Sequence, residues 1–144
     1  TRGQVNLVDA NVLIYAVNES DPRHAQARRW LDDSLNEGET VAFCWVVLLA
    51  FVRLTTKIGL FPQPLTVPDA AAIVQQWLAH PNSVVLDPGP RHGHLLAGLL
   101  LEVGAGGNLV NDAHLAALGV EHDAGIVSYD TDFLRFKGLR VTLP

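Results

Sequence analysis

Four short apolar runs, Val5–Val8, Val41–Cys44, Val84–Leu86 and Ile126–Ser128, are separated by stretches with helical periodicity. No other feature constrains the fold as much. Strands buried on both faces read as unbroken apolar runs, and strands joined through helices lie parallel because the crossover carries the chain back to the same end of the sheet. The pattern predicts an α/β fold: a three-layer sandwich whose mostly parallel sheet of four to five strands is flanked by helices. Leu139–Thr142 is the candidate fifth strand. With 144 residues, the chain has material for one domain spanning 1–144 and one hydrophobic core.

The helical stretches have recognisable ends. Asn11–Val17 follows the first strand, and Asp21 before Pro22 is the expected N-cap of the next helix, which carries Ala27, Trp30, Leu31, Ser34 and Leu35 on one face. Arg23, Arg28 and Arg29 fall largely on its solvent side. Val46–Lys57 is long enough for a buried helix, with Trp45 and Phe51 assigned to the core. Gly59 to Pro68 contains three prolines and marks a loop, and Thr66 with Pro68 opens a helix whose stripe is Ala70, Ala71, Val74, Trp77 and Leu78. A leucine-rich helix runs from about His92 to Val103 and ends at the glycines that follow. Asn111 or Asp112 is the expected cap of the last long helix, with Ala113, Ala116, Ala117 and Val120 facing inward.

Composition narrows the function. Apolar residues make up 49% and charged residues 17%, so the chain is not a disordered polyelectrolyte. No apolar stretch reaches the ~18 to 20 residues that cross a bilayer, and no signal pattern opens the chain, which points to a cytoplasmic protein without a membrane partner. Cys44 is a single cysteine inside an apolar run, expected as a buried thiol. A net charge of −5 argues against a broad basic nucleic-acid surface, so attraction to a polyanion must be local or carried by metal ions.

Acids gather where strands end. Asp9 closes the first strand, Asp112 opens a helix, and Asp130 with Asp132 follows the Ile126–Ser128 strand. In an open parallel sheet those positions converge on one edge, where ligands bind. Carboxylates brought together without counter-charge raise one another's pKa, so they are either protonated or share a cation. All-oxygen donors suit Mg²⁺ or Mn²⁺ better than zinc, and such a cation supports phosphoryl transfer.

Asp9-Ala10-Asn11-Val12-Leu13, Asn111-Asp112-Ala113-His114-Leu115-Ala116-Ala117 and Ser128-Tyr129-Asp130-Thr131-Asp132-Phe133 resemble successive motifs of the PIN domain, in particular the VapC toxins of bacterial toxin–antitoxin pairs. The resemblance covers essentially the whole chain. It implies an endoribonuclease dependent on Mg²⁺ or Mn²⁺, held inactive by a VapB-type antitoxin and often a homodimer. By position, Asp9, Asp112 and Asp130 match the catalytic, metal-binding acids, and Asp132 is a further metal contributor. Asn11 and Ser128 match polar positions that shape the metal's surroundings, and Arg53 and His114 are candidate substrate contacts.

One position departs from the family. Where a glutamate often stands three residues before the arginine of the third helix, this chain has Ala50 before Arg53. That motivates an alternative: a catalytically weak PIN domain that binds RNA or antitoxin without cutting. A phosphatase using Asp9 as nucleophile is disfavoured because position 11 is Asn11 and not a second acid. No Gly-x-Gly-x-x-Gly follows the first strand, which disfavours a dinucleotide-binding domain. His92 and His94 point in different directions on a helix and make no zinc pair. His114 is expected to be exposed, and Glu121 and Asp123 structural or solvated.

Overall fold

A computed structural model of the chain describes residues 4–104, 106–107 and 109–144. Its strands are β1 (Val5–Val8), β2 (Thr40–Phe43), β3 (Ser83–Val85), β4 (Gly125–Val127) and β5 (Val141–Thr142). They form one sheet in the order β3-β2-β1-β4-β5, every pairing parallel. In the central strand Leu7 and Val8 are both fully buried. Leu7 pairs with Ala42 on one side and Ile126 on the other, so the first run organises the registers of both its neighbours.

The flanking helices are α1 (Ala10–Val17), α2 (His24–Asn36), α3 (Trp45–Thr56), α4 (Val67–Ala79), α5 (His92–Val103) and α6 (Leu109–Glu121), with a 3₁₀ helix at Thr131–Arg135. They pack in two sets, α1 on α2 and α3 with α3 on α4, and α5 on α6. Their inward faces join the strands in one continuous core that includes Phe43, Phe51 and Phe133. This is the expected three-layer α/β architecture, with β5 shorter than the run from which it was read. Thr66 caps α4 as expected, its hydroxyl accepting the Asp69 N–H at 3.1 Å. Cys44 is buried, and burial pushes its thiol up to about 11, which suits a packing role.

Several local expectations are corrected. Asp21 does not cap α2, which has Arg23 at that position. Its carboxylate accepts the Arg23 N–H at 2.8 Å and holds the turn just before the helix. Asn111 and Asp112 lie inside the first turn of α6, which begins at Leu109. Trp45 is 49% exposed, because the helix it opens turns that position outward while Phe51 enters the core.

Candidate functional site

Strand order locates the crevice. After β1 the chain builds β2 and β3 on one side, then returns past β1 to lay down β4 and β5 on the other. Connections leave β1 and β4 in opposite directions, and such a switch point opens a ligand site beyond the strands' carboxyl ends. Asp9 stands directly after β1, while Ser128 and Asp130 follow β4.

Asp9 is held by hydrogen bonds from both strands' ends. It caps α1, its Oδ1 accepting the Ala10 N–H at 2.7 Å, while its backbone N–H donates to the Val127 carbonyl at 3.0 Å. Oδ2 accepts the Ser128 hydroxyl at 2.8 Å and, more weakly, the Asn11 amide at 3.4 Å. Asn11 also donates to Ser128 Oγ at 3.2 Å and accepts the Tyr129 N–H at 3.2 Å. Ser128 Oγ accepts the Asp130 N–H at 2.9 Å. Asn11 and Ser128 therefore lace the start of α1 to the loop after β4. Burial raises the Asp9 pKa, the Ser128 and Ala10 hydrogen bonds oppose that rise, and the charge of Asp130 adds to it.

Asp112, Asp130 and Asp132 are closer to one another. Each offers a carboxylate oxygen, and the three oxygens lie within 4.8 Å of one another. Asp130 also caps the 3₁₀ helix, its Oδ1 accepting the Asp132 N–H at 2.9 Å. Asp9 is not part of this trio. Burial pushes the Asp112 carboxyl up to about 7, with Asp130 next in effect and Asp9 and Asp132 contributing. Among the described residues no Lys, Arg or His forms an ion pair with any of the four acids. An all-oxygen, uncompensated set of this kind fits a hard divalent cation.

The profile of the PIN domain family matches residues 7–139. Ribonuclease VapC37 of Mycobacterium tuberculosis is 57% identical over 142 residues, 97% of each chain. The chain is a PIN domain of the VapC family. Ribonuclease VapC33 of the same species is 40% identical, with 94% of this chain and 95% of that protein aligned. Solved structures agree on the fold. VapBC2 from Rickettsia felis, bound to a promoter DNA fragment, superposes with a TM-score of 0.74 at 17% identity, covering 97% of this chain and 98% of that one. M. tuberculosis VapC20, described as a Sarcin-Ricin loop cleaving toxin, gives 0.67 at 18%, covering 94% and 98%.

The structure of this PIN domain separates the remaining site candidates. Arg53 is exposed in the last turn of α3, without an ion-pair partner among the described residues. His114 is half-buried and not the exposed residue expected: its Nδ1 lies 2.9 Å from Nε2 of buried His92. Two positions along a helix differ by ~200° in direction, so His114 faces α5 while Asp112 faces the acids. Burial, with His92 beside it, lowers the His114 pKa. Glu121, on the same face of α6, accepts the N–H groups of Gly89 at 2.8 Å and Arg91 at 3.0 Å, the first of which most strongly lowers its pKa. It thereby supplies the start of α5 with a cap from another helix, confirming a structural role.

A further cluster was not legible in the sequence. Arg23 lies 3.9 Å from the Tyr15 ring centroid and pairs with Asp21, while Tyr15 and Tyr129 meet edge to face at 5.2 Å. Tyr129 also donates to Gln26 at 2.8 Å. These contacts buttress the acidic loop from α1 and α2. No periodicity links residues more than a hundred positions apart, so only the fold could reveal them.

Proposed function

We propose that this single-domain protein is a metal-dependent endoribonuclease acting as the toxin of a toxin–antitoxin pair. The observation that carries the reading is the unneutralised trio Asp112, Asp130 and Asp132 at the switch point of the sheet, with Asp9 beside it. Relatives named ribonucleases, 57% and 40% identical over nearly the whole chain, support the same reaction class.

Asp112 and Asp130, with Asp132 and Asp9 adjoining, are the residues that would hold Mg²⁺ or Mn²⁺. When bound, such a cation offsets charge on phosphate oxygens and lowers the pKa of water. Ser128 and Asn11 fix the Asp9 carboxylate in one orientation through Oδ2. The Asp130 backbone, held by Ser128 Oγ, keeps its carboxylate facing Asp112. Asp112 must be ionised to hold a cation, and its carboxyl at about 7 makes that step the pH-sensitive one. The trio comes from α6 and the loop after β4, so Ala50 on α3 removes none of its members. Supporting this over the non-cutting alternative, all three carboxylates of the trio come together without any contribution from α3.

The partners in this reading are an RNA substrate and a VapB-type antitoxin, the latter supported by the solved VapBC complexes that share the fold. Trp45 and Leu49, 49% and 60% exposed on α3, give a homodimer an apolar face. No helix is long and apolar enough to cross a membrane among the described residues. The reading as an RNA-cleaving toxin puts its activity where its RNA substrate is, in the cytoplasm. The test is incubation of the purified chain with RNA and Mg²⁺ or Mn²⁺, beside an Asp130→Asn variant and an EDTA control. Chelator-sensitive cleavage by the wild type alone is expected. Equal cleavage by both proteins, or none by either, refutes the nuclease reading.

A further inference from the structure

A cavity of about 260 Å³ adjoins the acids and has no part in the proposed cleavage step. Its lining includes Tyr129 and Asp130 of the loop after β4, Leu134 of the 3₁₀ helix, and Val141 and Leu143 at the end of the chain. Leu134 and Leu143 are 69% and 67% exposed, so neither contributes much to the core. Two large apolar side chains lining one cavity, from separate elements, offer a surface to a flat apolar ligand. The volume lies just below the ~300 Å³ at which drug-sized pockets begin, the scale of a single planar ring system.

The cavity lies at the edge of the sheet. β5 is the last strand in the order, paired only with β4. The Ile126 and Ser128 N–H groups donate to the carbonyls of Arg140 and Thr142 at 2.8 and 3.1 Å. Peptide groups alternate in direction along a strand, so the N–H and C=O of Val141 face the open edge instead. Val141 also lines the cavity, so this open edge adjoins it.

The charge pattern selects among ligands. Asp130 belongs both to the cavity and to the acidic trio, and no Lys or Arg lines the cavity. A phosphate would meet a carboxylate without a counter-charge, whereas a neutral base presents apolar faces and a hydrogen-bonding edge. Single-stranded RNA is recognised in this way, through unstacked bases lodged against aromatic and apolar side chains.

We propose that this cavity is a base-binding subsite that takes one unstacked nucleobase of single-stranded RNA next to the bond to be cut, and so helps choose the cleavage position. The proposal rests on the reading of the neighbouring acids as an RNA-cleaving centre. Its chemistry is recognition alone; no bond is made or broken in the cavity.

Binding tests it independently of catalysis. Fluorescein-labelled 2′-O-methyl oligoribonucleotides, which resist cleavage, carry a single abasic position walked along the sequence, and fluorescence anisotropy gives Kd for each. For the wild type, one abasic position should weaken binding about tenfold, the scale of one lost base contact. In Leu134→Ser/Leu143→Ser, the intact oligonucleotide should already bind about tenfold more weakly, and the same abasic position should add nothing. Leu134→Trp, which fills the cavity instead of opening it, should reproduce that loss, and thermal melts check that both variants fold. Equal effects of every abasic position, unchanged profiles in the variants, or no oligonucleotide binding by the wild type overturns the subsite. So does a change confined to affinity for an antitoxin peptide. Cleavage of unmodified RNA with Mn²⁺ is measured separately, so a protein that binds with the expected profile but does not cut sinks the nuclease reading and the subsite's part in choosing a cleavage position, and leaves only base recognition standing.

Discussion

Replacing Asp112 with asparagine should stabilise the metal-free protein above neutral pH. The carboxyl sits at about 7 against an ordinary 3.8, so the folded chain holds a proton over that interval that the unfolded chain has released. The sign follows: the raised pKa contributes stability that is complete below 3.8 and is lost as pH climbs through about 7. At pH 8 the wild type has therefore lost the whole contribution and carries a repelling carboxylate beside Asp130. The interval from 3.8 to about 7 converts nominally to ~4 kcal/mol. Asp112 is only half-buried, and solvent screening reduces this to ~1–2 kcal/mol. For a domain of this size that is roughly 3 to 6 °C in Tm.

The assay is a set of thermal melts of wild type and Asp112→Asn at pH 5 and pH 8, each in EDTA or Mn²⁺. In EDTA at pH 8 the variant should melt higher, and at pH 5, where the folded wild-type carboxyl is protonated and part of its contribution is restored, the gap should narrow. Mn²⁺ at pH 8 should raise the wild-type Tm by binding the folded state and leave the variant nearly unchanged. A variant that melts no higher than wild type at pH 8 in EDTA, or a gap identical at both pH values, would refute the claim that the acids repel one another in the folded protein.

Asp9→Asn should keep the cap on α1 and melt within a few degrees of wild type, while single-turnover cleavage falls by more than about a hundredfold, because charge stabilisation at such centres amounts to several kcal/mol. Ser128→Ala removes the one hydroxyl that joins Asp9, Asn11 and the Asp130 backbone; urea denaturation should show a loss of ~1–3 kcal/mol from the polar groups left unpaired. Gly119→Ala and Gly98→Ala should move stability in opposite directions. A Cβ on Gly119 would stand 2.9 Å from the Ala124 carbonyl oxygen, so Tm should fall as overpacking costs ~1–3 kcal/mol. One on Gly98 in α5 meets nothing within 4 Å and should stabilise the helix by up to ~1 kcal/mol, seen as a higher Tm.

Local patterns carried most of the fold. The apolar runs at Val5–Val8, Val41–Cys44, Val84–Leu86 and Ile126–Ser128 correspond to strands within a residue or two; burial on both faces accounts for the inner strands β2 and β4, whereas Val84 and Val85 of the edge strand β3 stay 40% and 37% exposed. Helix ends were less legible. Asp21 and Asp112 both have cap-forming side chains, yet one holds a turn and the other lies inside a helix, since an acid near a helix start can serve either geometry. Trp45 was assigned inward by its hydrophobicity, but the direction of a side chain at the first position of α3 depends on how that helix meets its neighbours.

The sequence by itself determined the parallel α/β layering and the presence of Asp9, Asp112, Asp130 and Asp132 on one edge, since each follows a strand or opens a helix. Only the tertiary structure decided which acids meet: Asp112, Asp130 and Asp132 share one point, and Asp9 is held beside them by Ser128 and Asn11. It also turned His114 toward His92 and brought Leu134 and Leu143 into one cavity with Asp130. The physical reason is range. Periodicity reports on neighbours within a few turns, whereas Ser128 reaches Asp9 across 119 positions, a contact specified by strand order and register.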